Sequence, residues 1–592
     1  MNRQILQATA FAVTCILEVQ CGAVAPDGCR IKFVRLMNAT ENSSNAKLTR
    51  VRLSAGVLLL AAFGLCLISC SESSKAGGGI GSPAPPPSTT SAVKTFHNDN
   101  ARTGQNLGEV TLTPATVSSG KFGLLFVIPA DGKVDAQPLY LPGVTIPGQS
   151  KHNVLLVATE HGSVFAFDAD TGAQLWKTST LGSGERPSDD HGCNQVTPEI
   201  GVTATPVIDP AAGPHGTIYV VAMSKDESGN YHQRLHALDV SNGSELFGGP
   251  KEIQASYPGT GDNSSGGNVI FSPGQHVGRP GLLLLNGIIY TSWGSHCDIR
   301  PYSGWIIGYD KNTLAQVTVW NPTPNGNAGS FWMSGAAPAA DTSGNIFALA
   351  ANGTFDETLN AQGFPEQGDY GNAFLKISTA KKSLSVADYF EMFDQSSENA
   401  TDNDLGSGGA LLLPDLTDSA GQVRHLALGA GKDTNIYLVD RDSMGKFNTS
   451  ANMIYQEITN ALGGGIFSTP AYFNGFVYLG AVGDHIKAFA MNHAKLSTAP
   501  QFQTTRVFPY PGATPSISAN GTHNAILWAV ANSNPAVLYA FDATNLTELY
   551  DSSQAGGRDH FGSGNKFISP TVVNGKVYVG TTNGVGVFGL SR

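Results

Sequence analysis

The sequence predicts an all-β chain, an eight-bladed antiparallel β-propeller whose last blade is closed by an N-terminal strand. Three observations predict it. One strand–turn–strand pattern recurs eight times, a proline stands ahead of each recurrence, and an orphan apolar segment precedes the first copy while the last copy lacks an outer strand. The composition suits such a body: 70 glycines and 32 prolines among 592 residues supply turns, and 41% hydrophobic residues supply a large core.

Residues 1–69 read as a signal region. Residues 47–70, KLTRVRLSAGVLLLAAFGLCLISC, have a basic head, an apolar run from Val57 to Leu67 and a final Leu67-Ile68-Ser69-Cys70. The run is short for a membrane span and has a secretory layout, and its last four residues resemble a bacterial lipobox. Cys70 is then the lipid-modified first residue of the mature chain, tethered to the cell envelope. A signal normally begins a chain, so the residues ahead of it make Met37 a plausible true start. Residues 70–92 form a Ser/Gly/Pro tether with nothing to bury, and 93–592 form the propeller.

The clearest copy of the repeat is residues 153–176, NVLLVATEHGSVFAFDADTGAQLW. Two strands, Val154–Ala158 and Val164–Phe167, flank a tight turn at His161-Gly162, and a turn at Asp168–Gly172 leads to a third strand ending on Trp176. Both long strands are almost continuously apolar, so both faces are expected to be covered by neighbouring sheets. The pattern returns at 217–243, 287–310, 345–378, 425–442, 476–490, 526–545 and 576–590. Pro138, Pro206, Pro280, Pro338, Pro414, Pro470, Pro515 and Pro570 give a second count of eight, because proline in a sheet belongs at edges and strand starts. The orphan Phe122–Ile128 is expected to pair with the last copy and remove its open edge.

Net charge is −11; residues 1–69 carry seven Lys/Arg against three acids, so the rest stands four lower, at −15. That argues against nucleic acid as a partner and leaves contact with membrane to the lipid anchor. Beyond residue 70 only Cys193 and Cys297 remain, as one disulfide or two separate buried thiols. A zinc cluster of His191, Cys193, His296, Cys297 and Asp298 matches no common spacing, and the disulfide is preferred to it. Arg279, His296, Arg300, Lys432, Arg558 and His560 stand near loop ends that converge on the channel mouth or are ordinary loop charges. No phosphate loop, dinucleotide fingerprint or nucleophile elbow is present.

The pattern VYVGT-x-x-G-x-x-AFDA-x-TG-x-x-LW, as it stands in 153–176 and in weaker copies to the C-terminus, resembles the repeat of the quinoprotein alcohol dehydrogenases. That resemblance, over roughly residues 120–592, implies the propeller and a site built on pyrroloquinoline quinone and calcium. By order and spacing it implies Trp332 as the floor under the quinone, Asn352 as a calcium ligand, Asp404 or in its place Asp402 as catalytic base, and Lys432 as the quinone contact. The base takes a hydroxyl proton, the cation polarises a carbonyl, and calcium prefers oxygen donors. The family's adjacent cysteine pair is absent, no glutamate completes the calcium site cleanly although Glu199 and Glu227 lie nearby, and without C-x-x-C-H no covalent haem is expected. Asn352-Gly353 also reads as a hairpin turn, and residues 402–409 as a plain loop.

Two functions follow. The first, which those departures favour, is an envelope lipoprotein acting as a non-catalytic binding or assembly scaffold for an envelope protein or small-molecule ligand. The alternative is a quinone- and calcium-dependent oxidoreductase of alcohols or sugars.

Overall fold

Each repeat becomes an antiparallel sheet because its apolar runs are strand-length and its turns carry residues that tolerate left-handed backbone. In the computed structural model, which describes residues 91–591, the first sheet runs in order through Leu139–Thr145, Lys151–Ala158, Ser163–Asp168 and Gln174–Ser179. Gly162 turns the central hairpin at φ 72°, and Asp168 Oδ1 accepts hydrogen bonds from the Asp170 and Thr171 amides, so the aspartate loop is a turn. Trp176 is buried, and its Nε1–H donates to the Val240 carbonyl, tying this sheet to the next. The signal region, Met37, Cys70 and most of the tether lie outside the described residues.

Among the described residues eight such sheets of four or five strands follow one another, with a three-stranded and a two-stranded sheet as additions. Their first strands begin at Leu139, Val207, Leu283, Ala339, Leu411, Ala471, Ser516 and Thr571. Six of the eight prolines stand immediately before these strands, and Pro280 is three residues ahead. Pro414 is the exception: it follows Leu411–Leu412. There the strand begins after Gly408-Gly409, where a Cβ on Gly409 would press on Thr469 and Ala336, so close approach of neighbouring chain sets the start.

The core lies between sheets. Leu139 and Val157 of the first sheet share one apolar cluster with Ile218 of the second and Val585 of the eighth, and other clusters join the second to the third and so on to the eighth. Each sheet is therefore covered on both faces, as the unbroken apolar strands require. The orphan strand, Phe122–Pro129, pairs antiparallel with Gly584–Leu590, from Phe122 opposite Leu590 to Pro129 opposite Gly584.

Residues 93–106 make a connection that no repeat announces. Val93 bridges to Tyr140, and the Lys94 carbonyl accepts from the Ile208 amide. Asn100 Nδ2–H donates to the Leu284 carbonyl, while the carbonyls of Asn100, Ala101, Thr103 and Gly104 accept from the amides of Ala340, Leu412, Tyr472 and Ile517. Asn106 Nδ2–H donates to the Val572 carbonyl. One short segment thus bonds in order to the first strand of all eight sheets. It is anchored by Arg102, which is fully buried and donates to the carbonyls of Pro338, Phe96 and Asp99 and to Thr95 Oγ1.

Candidate functional site

Trp332, Asn352, Asp402, Asp404 and Lys432 lie in loops that precede the first or follow the second strands of the fourth and fifth sheets, and all five line one cavity of about 240 Å³. Its walls come from residues just after second strands (Cys297, Asn352, Lys432) and just before first strands (Trp332, Asp404, Phe467, Tyr510, Phe567). Repetition of the sheet therefore repeats the supply of wall positions.

Lys432 is the electrostatic centre. Its ammonium lies 2.7 Å from Asp402 Oδ1 and 2.5 Å from Asp404 Oδ1. Asn352 Nδ2–H donates to the same Asp402 oxygen at 2.7 Å, which leaves Asn352 Oδ1 buried without a hydrogen-bond partner. Burial pushes the Asp404 carboxyl up to about 6; Lys432 opposes the shift, and the charges of Asp402 and Asp298 add to it. Burial works to lower the Lys432 ammonium, but Asp404 and Asp402 outweigh it and raise the pKa. Asp404 is 3% exposed, so a carboxyl that titrates near neutrality is held beside a fixed cation.

The loop that carries both aspartates is shaped for this. The helix Gln395–Thr401 ends on Asp402 in left-handed backbone, φ 59°, and Asp404 opens a short 3-10 turn, Leu405–Ser407. The Leu405 amide donates to Asn372 Oδ1, and the Lys432 amide to the Asp404 carbonyl. Gly431 permits that contact: a Cβ there would lie 2.5 Å from the Asp404 carbonyl oxygen. The hairpin reading of Asn352-Gly353 is corrected. Gly353 has ordinary negative φ and is packed against the Gly329 amide, 2.3 Å from where a Cβ would stand, so close approach of two loops selects the glycine.

Cys193 and Cys297 form a disulfide with a Cα–Cα distance of 5.5 Å, and Cys297 lines the cavity. That bond removes both thiols from any zinc site. His191 and His296 stack beside it with ring centroids 4.1 Å apart. Trp332 is half-buried in the cavity wall, unlike the interior packing tryptophan Trp176. Left-handed backbone clusters around the cavity, at Cys297, Asp298, Ser334, Asp402 and Phe567, a concentration of strain that surrounding packing must hold in place.

Sequence reasoning missed Asp298, whose carboxylate lies on the same cavity and accepts from Tyr302 Oη at 2.5 Å. It also missed the aromatic side formed by Phe467, Tyr510 and Phe567. The Cys297-Asp298 pair was the available signal, read only as zinc chemistry. Glu199 hydrogen-bonds His161, and neither it nor Glu227 lines the cavity. Among the loop cations, Arg300 pairs with Asp262, Arg558 pairs with Asp559, and His560 is exposed; only Lys432 lines the cavity.

No three histidine, cysteine or carboxylate side chains among the described residues are grouped closely enough to hold a metal by themselves. No helix among them is long and apolar enough to cross a membrane.

No family model and no curated protein matches the chain. Solved structures do. The chain is similar to the quinohemoprotein alcohol dehydrogenase from Comamonas testosteroni, with a TM-score of 0.53 at 14% identity over 85% of this chain and 81% of that one. A quinohemoprotein alcohol dehydrogenase from Pseudomonas putida HK5 superposes at 0.53 and 13% identity, over 85% and 80%. A europium-containing methanol dehydrogenase superposes at 0.53 and 13% identity, over 84% and 98%. The chain has the β-propeller fold of the quinoprotein alcohol dehydrogenases.

Proposed function

We propose that this protein is a quinone-dependent oxidoreductase of alcohols or sugars, built as an eight-bladed propeller with the strand at 122–129 completing the eighth blade. The observation that carries the reading is the convergence of Trp332, Asn352, Asp402, Asp404 and Lys432 on one cavity. The residues fit pyrroloquinoline quinone in kind, with an indole for the ring and an ammonium for its oxygens. They fit calcium in part. Asn352 Oδ1 is a buried oxygen without a partner, Asp404 and Asp298 are hard donors nearby, and the rest of calcium's six to eight oxygens would come from the quinone and water.

When bound, the quinone supplies the acceptor for a hydride. This chain's residues do the rest. Ionised Asp404 takes the substrate hydroxyl proton at its carboxylate, and its buried position, with a pKa near 6, keeps it a usable base at neutral pH. Lys432 holds that carboxylate in place and presents a positive charge to the cavity, and Asn352 fixes Asp402 against Lys432. Trp332 gives a flat surface on which a ring is oriented.

Calorimetric titration of the full chain with pyrroloquinoline quinone, with and without calcium, tests the reading. Calcium-dependent binding that is lost in Lys432→Ala and Asp404→Ala is expected. No binding in either condition would overturn it and leave the non-catalytic scaffold. In either case we place the protein on the cell envelope, lipid-anchored at Cys70 and with no attached haem, a location that metabolic labelling with a radioactive fatty acid in wild type and Cys70→Ala would test.

A further inference from the structure

Beside the cavity stands a second group of charges that the proposed chemistry does not use. Arg279 is 3% exposed, its Nε is buried without a partner, and among the described residues no carboxylate lies within ion-pair distance of its guanidinium. The guanidinium carbon sits 4.5 Å from the centre of the Phe567 ring, and Arg279 and Lys432 both act electrostatically on Tyr510; Phe567 and Tyr510 line the cavity. Lys566 lacks a carboxylate partner as well. Its ammonium donates only to Gln195 Oε1, at 3.3 Å, and Gln195 is another cavity residue.

The neighbouring acids do not neutralise these cations. Asp135 is taken by Lys133 at 3.4 Å and by Asn565. Glu160 is fully buried against Asp135, and burial together with that charge pushes its carboxyl well up. Lys133, Arg279 and Lys566 thus gather around the Asp135–Glu160 pair, and among the described residues only Lys133 lies within ion-pair distance of either carboxyl. Burial, reinforced by Arg279 and Lys133, lowers the Lys566 pKa, as an excess of positive charge requires. A buried guanidinium without an anion is costly in any protein and unexpected in one carrying −11, unless an anion is supplied from outside.

We infer that Arg279 and Lys566 form a binding site for the carboxylate of an anionic small molecule whose planar body lies along Phe567 and Tyr510 in the cavity. A planar guanidinium matches a carboxylate in two parallel hydrogen bonds, and the ammonium adds a point charge beside it. The aromatic walls set the plane of whatever the carboxylate is attached to. The cations behind the Phe567–Tyr510–Gln195 side and the Asp298–Asp402–Asp404 wall then orient a ligand with its anion at one side and its reacting group at the other. Arg279 and Lys566 would hold such a carboxylate whether or not the ligand is a quinone.

The test is calorimetric titration of the full chain with benzene-1,2-dicarboxylate, its neutral diamide and inorganic phosphate. The dicarboxylate is expected to bind, the diamide not to bind, and the affinity for the dicarboxylate to fall roughly tenfold or more in Arg279→Met and in Lys566→Met. Equal binding of the diamide, or dicarboxylate binding indifferent to both substitutions, would overturn the inference. Phosphate binding as tightly as the dicarboxylate would overturn the assignment to a carboxylate. Lys566 is half-buried, so Lys566→Met guards against a folding defect: its melting temperature without ligand should match wild type while the rise caused by the dicarboxylate disappears. Dicarboxylate binding through Arg279 without quinone binding would leave this inference standing and remove the oxidoreductase reading. Quinone binding together with dicarboxylate binding indifferent to Arg279→Met would do the reverse.

Discussion

Replacing Arg102 with methionine tests whether residues 93–106 hold the eight sheets together. The side chain is fully buried, and its guanidinium donates to the Pro338 carbonyl from Nε and Nη2 at 3.0 and 2.8 Å. Nη1 donates to Thr95 Oγ1, Phe96 O and Asp99 O at 2.9, 2.9 and 3.0 Å. Burial lowers its pKa to about 9, so it is charged at neutral pH. Methionine fills much of the volume but leaves three backbone carbonyls short of a donor, each worth about 1–3 kcal/mol when buried, against which removal of a desolvated charge is a gain. The expected net loss is about 3–5 kcal/mol, a large part of the ~5–15 kcal/mol typical of a folded protein. Urea denaturation followed by tryptophan fluorescence measures it, and limited proteolysis should show new cleavage between residues 91 and 108. A loss below about 1 kcal/mol with unchanged protection there would refute the claim that this segment is structural.

Four further outcomes are expected. Asp404 has a folded pKa of about 6, above its unfolded value, so ionising it destabilises the fold, a cost that is absent below about pH 4 and complete above about pH 6. Asp404→Asn should therefore gain on wild type by up to about 3 kcal/mol between pH 4 and 7, measured by thermal melts across that range. A proton-abstraction rate that depends on Asp404 should rise with pH through about 6, and Lys432→Met should move that limb upward in a pH–rate profile. Reduction of the Cys193–Cys297 bond, which spans 104 residues, should cost about 4–5 kcal/mol on the chain-entropy account, read as a lower melting temperature in dithiothreitol and in Cys193→Ser. Removing residues 93–130 should expose the edge of Gly584–Leu590 and make the last sheet protease-sensitive, as mapped by mass spectrometry of the fragments.

The sequence by itself determined the sheets. Strand formation here is local: apolar runs of strand length, turn residues such as Gly162 and Asp168, and prolines at strand starts are all readable in order, and the pairing of Phe122–Pro129 with the final strand followed from an unmatched edge. Trp332, Asn352, Asp402, Asp404 and Lys432 were legible as types in a familiar order, but their meeting at one cavity was not. Only tertiary structure decided that, because the distance between loops of different sheets depends on packing between sheets. The disulfide was an open choice for the same reason, since a Cα distance of 5.5 Å across 104 residues has no local signature. The path of residues 93–106 was silent in the sequence, and Asp298 and Arg279 were legible only as a member of a zinc-like cluster and as one loop-end cation among several. A carboxylate, a guanidinium and an irregular segment carry no periodicity, and their roles lie in which partners the fold brings to them or withholds.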